Sequence, residues 1–323
     1  MIRQQAFVGN NKLLKGALHF HTTRSDGDLT PEQALKKYRS LGYDFAAITD
    51  HFKYNLINSA PDSGILLIPG MEYGAQLMEF GYGYMCHDTV CLGPSKEDGN
   101  GFEQDDFGPP RDSVINNEIY QKCLDEIYAK NNIVILPHPE WSRTPLTMFD
   151  CLKGLTAIEV YNHGGALCSE MDADNGLYWD QLLAQGKRIW GVALDDAHGE
   201  WNYGGGWVMV NAEKNVNSVL EAIRTGSFYS SSGPEIYDFY VDDDNTAHIK
   251  CSPVKRILLQ SAHHATRLVP KNERNEPVFD AELLTEASFK LEMRKGKYKY
   301  CRFTIIDENG KKAWTNPIFI DCI

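Results

Sequence analysis

Seven short apolar or β-branched runs punctuate the first two-thirds of the chain, at residues 17–21, 45–49, 66–71, 89–92, 133–136, 157–160 and 189–192. The stretches between several of them carry helix signals. Thr30 stands as an N-cap before Pro31 and a helix-like stretch over 31–41; a second spans 114–130, and a third spans 178–185 and stops at Gly186. Strands rich in Ile, Val, Leu and Ala suit a sheet buried on both faces, and their alternation with helices predicts parallel strands joined by crossovers. A distorted seven-stranded β/α barrel is the economical expectation. A further helix over 216–224 ends at Gly226, and beyond Gly233-Pro234 the pattern turns to short strands at 236–241, 256–260, 288–292 and 300–306. Residues 1–233 are therefore expected to form the barrel, and residues 234–323 a small all-β sandwich beside it.

The length of 323 residues fits one large and one small unit. A net charge of -12 argues against a basic track for long nucleic acid and favours a small or locally steered ligand. No run approaches the roughly 18 apolar residues of a membrane span, and the start carries Arg3 where a secretory signal needs an apolar core. A cytoplasmic protein is expected. The eight cysteines include no C-x-x-C pair and read as reduced core residues.

The first run contains His19-Phe20-His21. Residues two apart in a strand share a face, with Cβ atoms about 6.5–7 Å apart, so two imidazoles can converge on one ion. A lone H-x-H equally describes two polar residues on an exposed strand. What separates the readings is recurrence, because barrel sites gather at the carboxyl ends of strands. Asp26 follows the first run in Ser25-Asp26-Gly27, His51 the second in Thr49-Asp50-His51, and Glu72 the third in Gly70-Met71-Glu72. His87-Asp88 precedes the fourth, His138 follows the fifth, and Asp196-Ala197-His198 follows the seventh.

In this order, H-x-H, S-D-G, T-D-H, G-x-E, P-H and D-x-H resemble the PHP (polymerase and histidinol phosphatase) family. The similarity is to its stand-alone metal-dependent hydrolases, the branch that includes carbaryl-hydrolase-like proteins, and extends through Trp190–Ala193, Gly205-Gly206-Trp207 and Ser230–Pro234 to Ala313–Ile318. The resemblance implies a barrel holding two or three divalent metals. His19, His21, Glu72 and Asp196 would hold one; Glu72, His138 and a ligand near the fourth strand a second; Asp26, His51 and His198 a third. His87 is favoured for the fourth-strand position by residue type, with Asp88 the alternative by spacing.

A mixed imidazole and carboxylate set suits Mn, Zn or Fe better than Ca or Mg. Such a centre would generate hydroxide without a protein nucleophile and draw an anionic substrate. The leading expectation is a phosphoesterase acting on a small phosphomonoester or nucleotide-type phosphoester. Two alternatives stand beside it: a carboxyl or carbamate ester hydrolase on the same scaffold, and a non-catalytic metal-binding module. No G-x-S-x-G elbow, P-loop or dinucleotide fingerprint competes.

Arg143 and His163 are candidate catalytic residues, a phosphate-binding guanidinium and a proton donor, each balanced by an ordinary structural role. Asp50 and Asp195 read either as partners of neighbouring ligands or as unrelated acids, and Arg24 and Lys53 as weaker candidates for the substrate. The glycine-rich 203–207 reads as a tight turn, residues 94–111 as a lid or a solvated loop, and His248, His263 and His264 as ordinary residues.

Overall fold

The computed structural model describes residues 2–6, 13–56, 63–78, 84–94, 98–99, 102, 114–169, 174–262, 266–268, 274, 276, 278, 282–291 and 299–320. Its elements run β1 (Ile2–Gln5), β2 (Leu13–Ala17), α1 (Pro31–Ser40), β3 (Phe45–Ala47), β4 (Leu66–Ile68), β5 (Gly70–Met78), β6 (Tyr84–Leu92) and β7 (Val114–Ile115). They continue with α2 (Asn117–Ala129), β8 (Ile133–Leu136), α3 (Leu146–Phe149), β9 (Ala157–Asn162), α4 (His163–Ser169), α5 (Gly176–Ala184), β10 (Trp190–Leu194), β11 (Trp207–Asn211), α6 (Val216–Thr225) and β12 (Phe228–Ser231). The last third is β13 (Ile236–Asp242), β14 (Thr246–Val254), β15 (Arg256–Ser261), β16 (Thr266–Leu268), β17 (Leu284–Lys290), β18 (Tyr300–Ile306), β19 (Lys312–Thr315) and β20 (Ile318–Phe319).

The fold is mixed α/β, but its strands do not form one closed parallel barrel. One sheet has the order β10-β9-β8-β6-β5-β7, and a larger one runs β16-β15-β18-β19-β12-β11-β2-β3-β4. The expectation of parallel strands throughout fails at β6, antiparallel to both β5 and β8, and at β11, antiparallel to β2. The cause at β6 is local. A short connection follows β5, and parallel pairing needs a crossover of a dozen residues or more.

The two sheets are stitched at one end by the extended segments that follow the strands. Asp196 N donates to His19 O at 3.0 Å and His21 N to Ala197 O at 2.8 Å. On the other side Thr49 N donates to Phe20 O at 3.0 Å and Glu72 N to Thr49 O at 3.2 Å. These bonds leave no lengthwise ladder between β2 and β10, yet they bring the residues after β2, β3, β4 and β10 together at one mouth.

The helices follow their end signals. Thr30 and Gln33 form a reciprocal capping box at the start of α1, and Gly226 ends α6 in the left-handed region with φ 79°. Val114, read as helical, lies in β7 instead, and Asn116 caps α2 with its side chain accepting from Ile119 N.

In the last third, β1, β13, β14 and β17 make a separate antiparallel sheet. Its inner face shares a core with β15 and β18, where Phe239, Ile249, Ile257 and Phe303 are buried. The second layer is continuous with the β2–β3 sheet, because β12 pairs with β19. His263 and His264 and most of 94–111 lie outside the described residues. The seven described cysteines form no disulfide, and among the described residues no helix is long and apolar enough to cross a membrane.

Candidate metal centre

Alternation past β2 builds the first part of the site. Phe20 is fully buried against α1, so His19 and His21 on either side of it point inward, and both are fully buried. Gly27 closes the Ser25-Asp26-Gly27 turn so tightly that a Cβ there would lie 2.4 Å from His21 O. Glycine is required by that approach, and the turn sets Asp26 Oδ1 3.5 Å from His21 Nδ1.

Glu72 is the hub. Its Oε2 lies 3.2 Å from His19 Nε2, 3.1 Å from His21 Nε2 and 3.3 Å from His51 Nδ1, while Oε1 lies 3.2 Å from His138 Nε2. Asp196 Oδ1 completes the ring at 3.2 Å from His19 Nε2 and 3.3 Å from His21 Nε2. Among the described residues, three groups of donor atoms converge: His19, His21, Glu72 and Asp196; Glu72, Asp88 and His138; and His21, Asp26, His51 and His198. The first two are interior. The third sits at the rim, since Asp26 is 48% and His198 38% exposed.

The structure brings Asp88, not His87, to the second group. Residues on a strand alternate faces, and Asp88 Oδ2 comes within 3.9 Å of His138 Nε2. His87 faces the other way, its ring 4.4 Å from that of Tyr120 and neither nitrogen hydrogen-bonded. Burial pushes the His87 imidazole down to about 3. The preference for His87 by residue type is thus corrected by strand register. Gly74 stands opposite Asp88, where a Cβ would lie 2.5 Å from its Oδ1, so the glycine makes room for the carboxylate.

Burial and the carboxylates compete in setting the charge of the cluster. Burial opposes protonation of His21 and His138, but the carboxylates of Asp196 and Glu72 outweigh it and lift each imidazole to about 9. The same competition raises His19 well above its ordinary value. Burial works against Asp196 as an anion, yet His19 and His21 hold its carboxyl far below the usual range. Burial and the Glu72 charge lift Asp88 to about 6.

His19 Nε2 and His21 Nε2 are only 3.3 Å apart and both face the same oxygens, so one divalent cation would serve both rings where two protons would repel each other. Asp196 Oδ1 is buried and receives no well-formed hydrogen bond. Nitrogen and oxygen donors at tetrahedral angles on bonds of about 2.05 Å stand roughly 3.3 Å apart. The observed 3.1–3.3 Å separations in the first group fit that geometry. Backbone strain is concentrated here too: Asp196 has φ 49°, His138 φ 28° and Phe52 φ 59°.

Outer contacts orient the imidazoles. Glu159, fully buried on β9, holds His19 Nδ1 at 2.6 Å and also accepts from His138 N at 2.8 Å and Asn162 Nδ2 at 2.7 Å. Ser142 Oγ holds His138 Nδ1 at 2.9 Å. Each partner leaves the opposite ring nitrogen, Nε2, to face the cluster. Sequence reasoning gave Glu159 no role; the available signal was a carboxylate inside an otherwise apolar strand.

Asp50 accepts from Thr22 N at 2.7 Å and Ser25 Oγ at 2.9 Å and so supports the first turn. Asp195 accepts from the N–H groups of Gly204, Gly205 and Gly206 at 2.7–2.8 Å. Those amides are consumed there, which leaves the glycine-rich loop no phosphate-cradling role. Arg24 bonds Asn55 and Lys53 bonds Arg24 O, both as loop ties.

The centre floors a cavity of 420 Å³ whose walls include Phe52, Cys86 and Trp141. Neither Arg143 nor His163 lines it. Arg143 lies in the turn after His138 with φ 54°, its N–H donating to Glu140 O at 3.0 Å. His163 hydrogen-bonds Tyr161 Oη at 3.0 Å, and burial followed by the Lys311 charge lowers it to about 4. His248 bonds Asp242 and Ser288 in the separate antiparallel sheet of β13, β14 and β17.

The chain matches no family model and no curated protein. Solved structures similar to it include a two-domain protein from Bacteroides vulgatus containing a predicted PHP-like metal-dependent phosphoesterase, 16% identical, with 98% of this chain and 99% of that one covered and a TM-score of 0.47. An amidohydrolase from Chromobacterium violaceum with bound sulfate is 15% identical over 57% of this chain and 88% of that one, with a TM-score of 0.39. A protein from Bifidobacterium adolescentis, provisionally named a metal-dependent phosphoesterase, is 15% identical over the same shares, 57% and 88%, with a TM-score of 0.37.

Proposed function

We propose that the chain is a metal-dependent hydrolase of the PHP type that cleaves small phosphomonoesters or nucleotide-type phosphoesters. The observation that carries this reading is the convergence of three donor groups, joined through Glu72 and His21, on the floor of one cavity. His19, His21, Glu72 and Asp196 would hold one divalent cation, and Glu72, Asp88 and His138 a second. Asp26, His51 and His198, with His21, would hold a third at the rim. Divalent cations of the Mn, Zn or Fe kind would lower the pKa of water towards neutrality and offset charge on phosphoryl oxygens.

The chain's own residues prepare that chemistry. Glu159 and Ser142 fix the rings of His19 and His138 so that Nε2 offers a lone pair. Glu72 reaches both interior groups through different oxygens, which ties their spacing to one side chain. Phe52 and Trp141 wall the cavity.

Charge favours an anionic substrate. With Asp88 in the set the ligand carboxylates number four, and three divalent cations leave two net positive charges. With two cations those charges cancel. That cancellation, together with the apolar walls, favours a second reading: hydrolysis of neutral aryl carboxyl or carbamate esters. The test is kcat/KM over phosphomonoesters, nucleotide phosphoesters, aryl carboxyl esters and carbamates at one Mn or Zn loading. Faster phosphoester turnover with inhibition by inorganic phosphate is expected. Ester cleavage without phosphoesterase activity would favour the second reading, and metal binding without any turnover a non-catalytic module.

A further inference from the structure

Apart from donors already placed in the three metal groups, the described residues that line the 420 Å³ cavity are Phe52, Gly74, Cys86 and Trp141. Their side chains include no carboxylate, amide or hydroxyl. The Cys86 thiol lies 3.1 Å from Asp88 Oδ2, and Trp141 brings a single N–H donor. The hydroxyls of a sugar or the edge of a nucleobase would give up water on meeting these walls with little to replace it, whereas a flat apolar body has no such bonds to lose.

Both aromatic rings stand beside the group formed by Glu72, Asp88 and His138. The tip of the Phe52 ring, Cζ, and Asp88 Oδ1 lie 3.6 Å and 2.5 Å from the point where a Cβ on Gly74 would stand, so the ring edge adjoins that carboxylate. Trp141 meets His138 edge to face, with ring centroids 5.3 Å apart. Each ring is carried by a segment that also carries a ligand. Phe52 follows His51, donates its N–H to Glu72 O at 2.9 Å and keeps a left-handed φ of 59°, a conformation that bulky residues rarely hold unless the surrounding structure enforces it. Trp141 sits in the turn that opens at His138, which Ser142 N closes by donating to His138 O at 3.0 Å. It is 52% exposed, so much of the indole is open to a ligand.

We propose that the organic body of the substrate is aromatic and rests against Phe52 and Trp141, beside the Glu72, Asp88 and His138 group, which makes aryl phosphomonoesters the preferred substrates and nucleotide or sugar phosphates poor ones. This assignment rests on the reading of the centre as a metal-dependent phosphoesterase. Phe52 and Trp141 take no part in holding metal; they set which body is accepted. The cavity volume lies within the range of small-molecule sites. Contact with two aromatic rings is worth about tenfold in affinity beyond the area it buries.

The test is calorimetric titration of the full, metal-loaded chain with phenylphosphonate, methylphosphonate and 2-hydroxyethylphosphonate, at a pH at which all are dianions. None can be hydrolysed at an ester bond, so turnover plays no part in the readout. Phenylphosphonate is expected to bind about tenfold more tightly than the other two. W141A and F52L are each expected to weaken it by about threefold or more, with methylphosphonate affinity and metal content close to wild type. Trp141 is the more exposed of the two, so W141A keeps the test decisive if F52L disturbs the neighbouring His51. Equal affinity for the phenyl probe and either smaller one, or a phenyl advantage that survives in W141A, would overturn the aromatic assignment and leave the phosphoesterase reading standing. Failure of methylphosphonate to bind the metal-loaded chain, together with absent phosphoester turnover, would instead overturn that reading, and the aryl phosphomonoester with it.

Discussion

At the residue scale the decisive pair is His87-Asp88. Both have ligand chemistry and both are buried, so only direction separates them. Asp88→Asn is expected to lower bound metal sharply, whereas His87→Ala should retain it while lowering Tm, because it removes a ring packed on Tyr120. Metal content by elemental analysis beside a melting curve checks this, and the reverse order of metal loss would refute the register argument. Glu159 makes a second prediction. Its carboxylate orients His19 and bonds the His138 amide, so Glu159→Gln should leave the chain folded and weaken metal affinity roughly 10- to 100-fold. An equilibrium competition with a coloured chelator measures it; wild-type affinity would remove Glu159 from that positioning role.

At the element scale, end signals were the most legible features, because they act within a few residues. The Thr30 box and the Gly226 stop are formed as their residue types require. Gly226 also meets a tertiary demand: a Cβ there would lie 2.7 Å from the Trp190 ring. Gly226→Ala is therefore expected to cost about 1–2 kcal/mol or more, combining a left-handed φ with a clash. Urea denaturation would show it, and a change below a few tenths of a kcal/mol would contradict it. Strand direction was less legible. An apolar run has the same composition whichever way it pairs, and only the short return after β5 turned β6 antiparallel.

At the scale of the whole molecule, the last third is joined to the rest by pairing, packing and charge. Trp314 is buried in the core that also holds Trp179 and Ile189, and Asn316 Oδ1 accepts from Gly191 N at 3.0 Å. Arg302, 1% exposed, lies 2.7 Å from Asp180 and stacks on Trp179. Removing Asp180 would leave the buried Arg302 guanidinium without that carboxylate, which destabilises the fold. A chain ending at Gly233 would lose all of this and leave β12 unpaired on its β19 side. It is expected to be insoluble or to melt well below the full chain, as a solubility assay and calorimetry would show. A soluble, equally stable and equally metal-loaded fragment would disprove the structural role of the tail.

By itself the sequence pointed to the mixed α/β class, to the start of α1 and the end of α6, and to side chains that the structure brings together, His19, His21, Asp26, His51, Glu72, His138, Asp196 and His198. Periodicity, capping chemistry and ligand chemistry are properties of neighbouring residues, and the motif order carried the rest. Tertiary structure alone decided that the sheets are stitched at the mouth rather than closed, that Asp88 turns inward, that Glu159 backs His19, and that Arg143 and His163 lie off the cavity. Each of these depends on which face of a strand meets which neighbour, and a one-residue change of register would invert it.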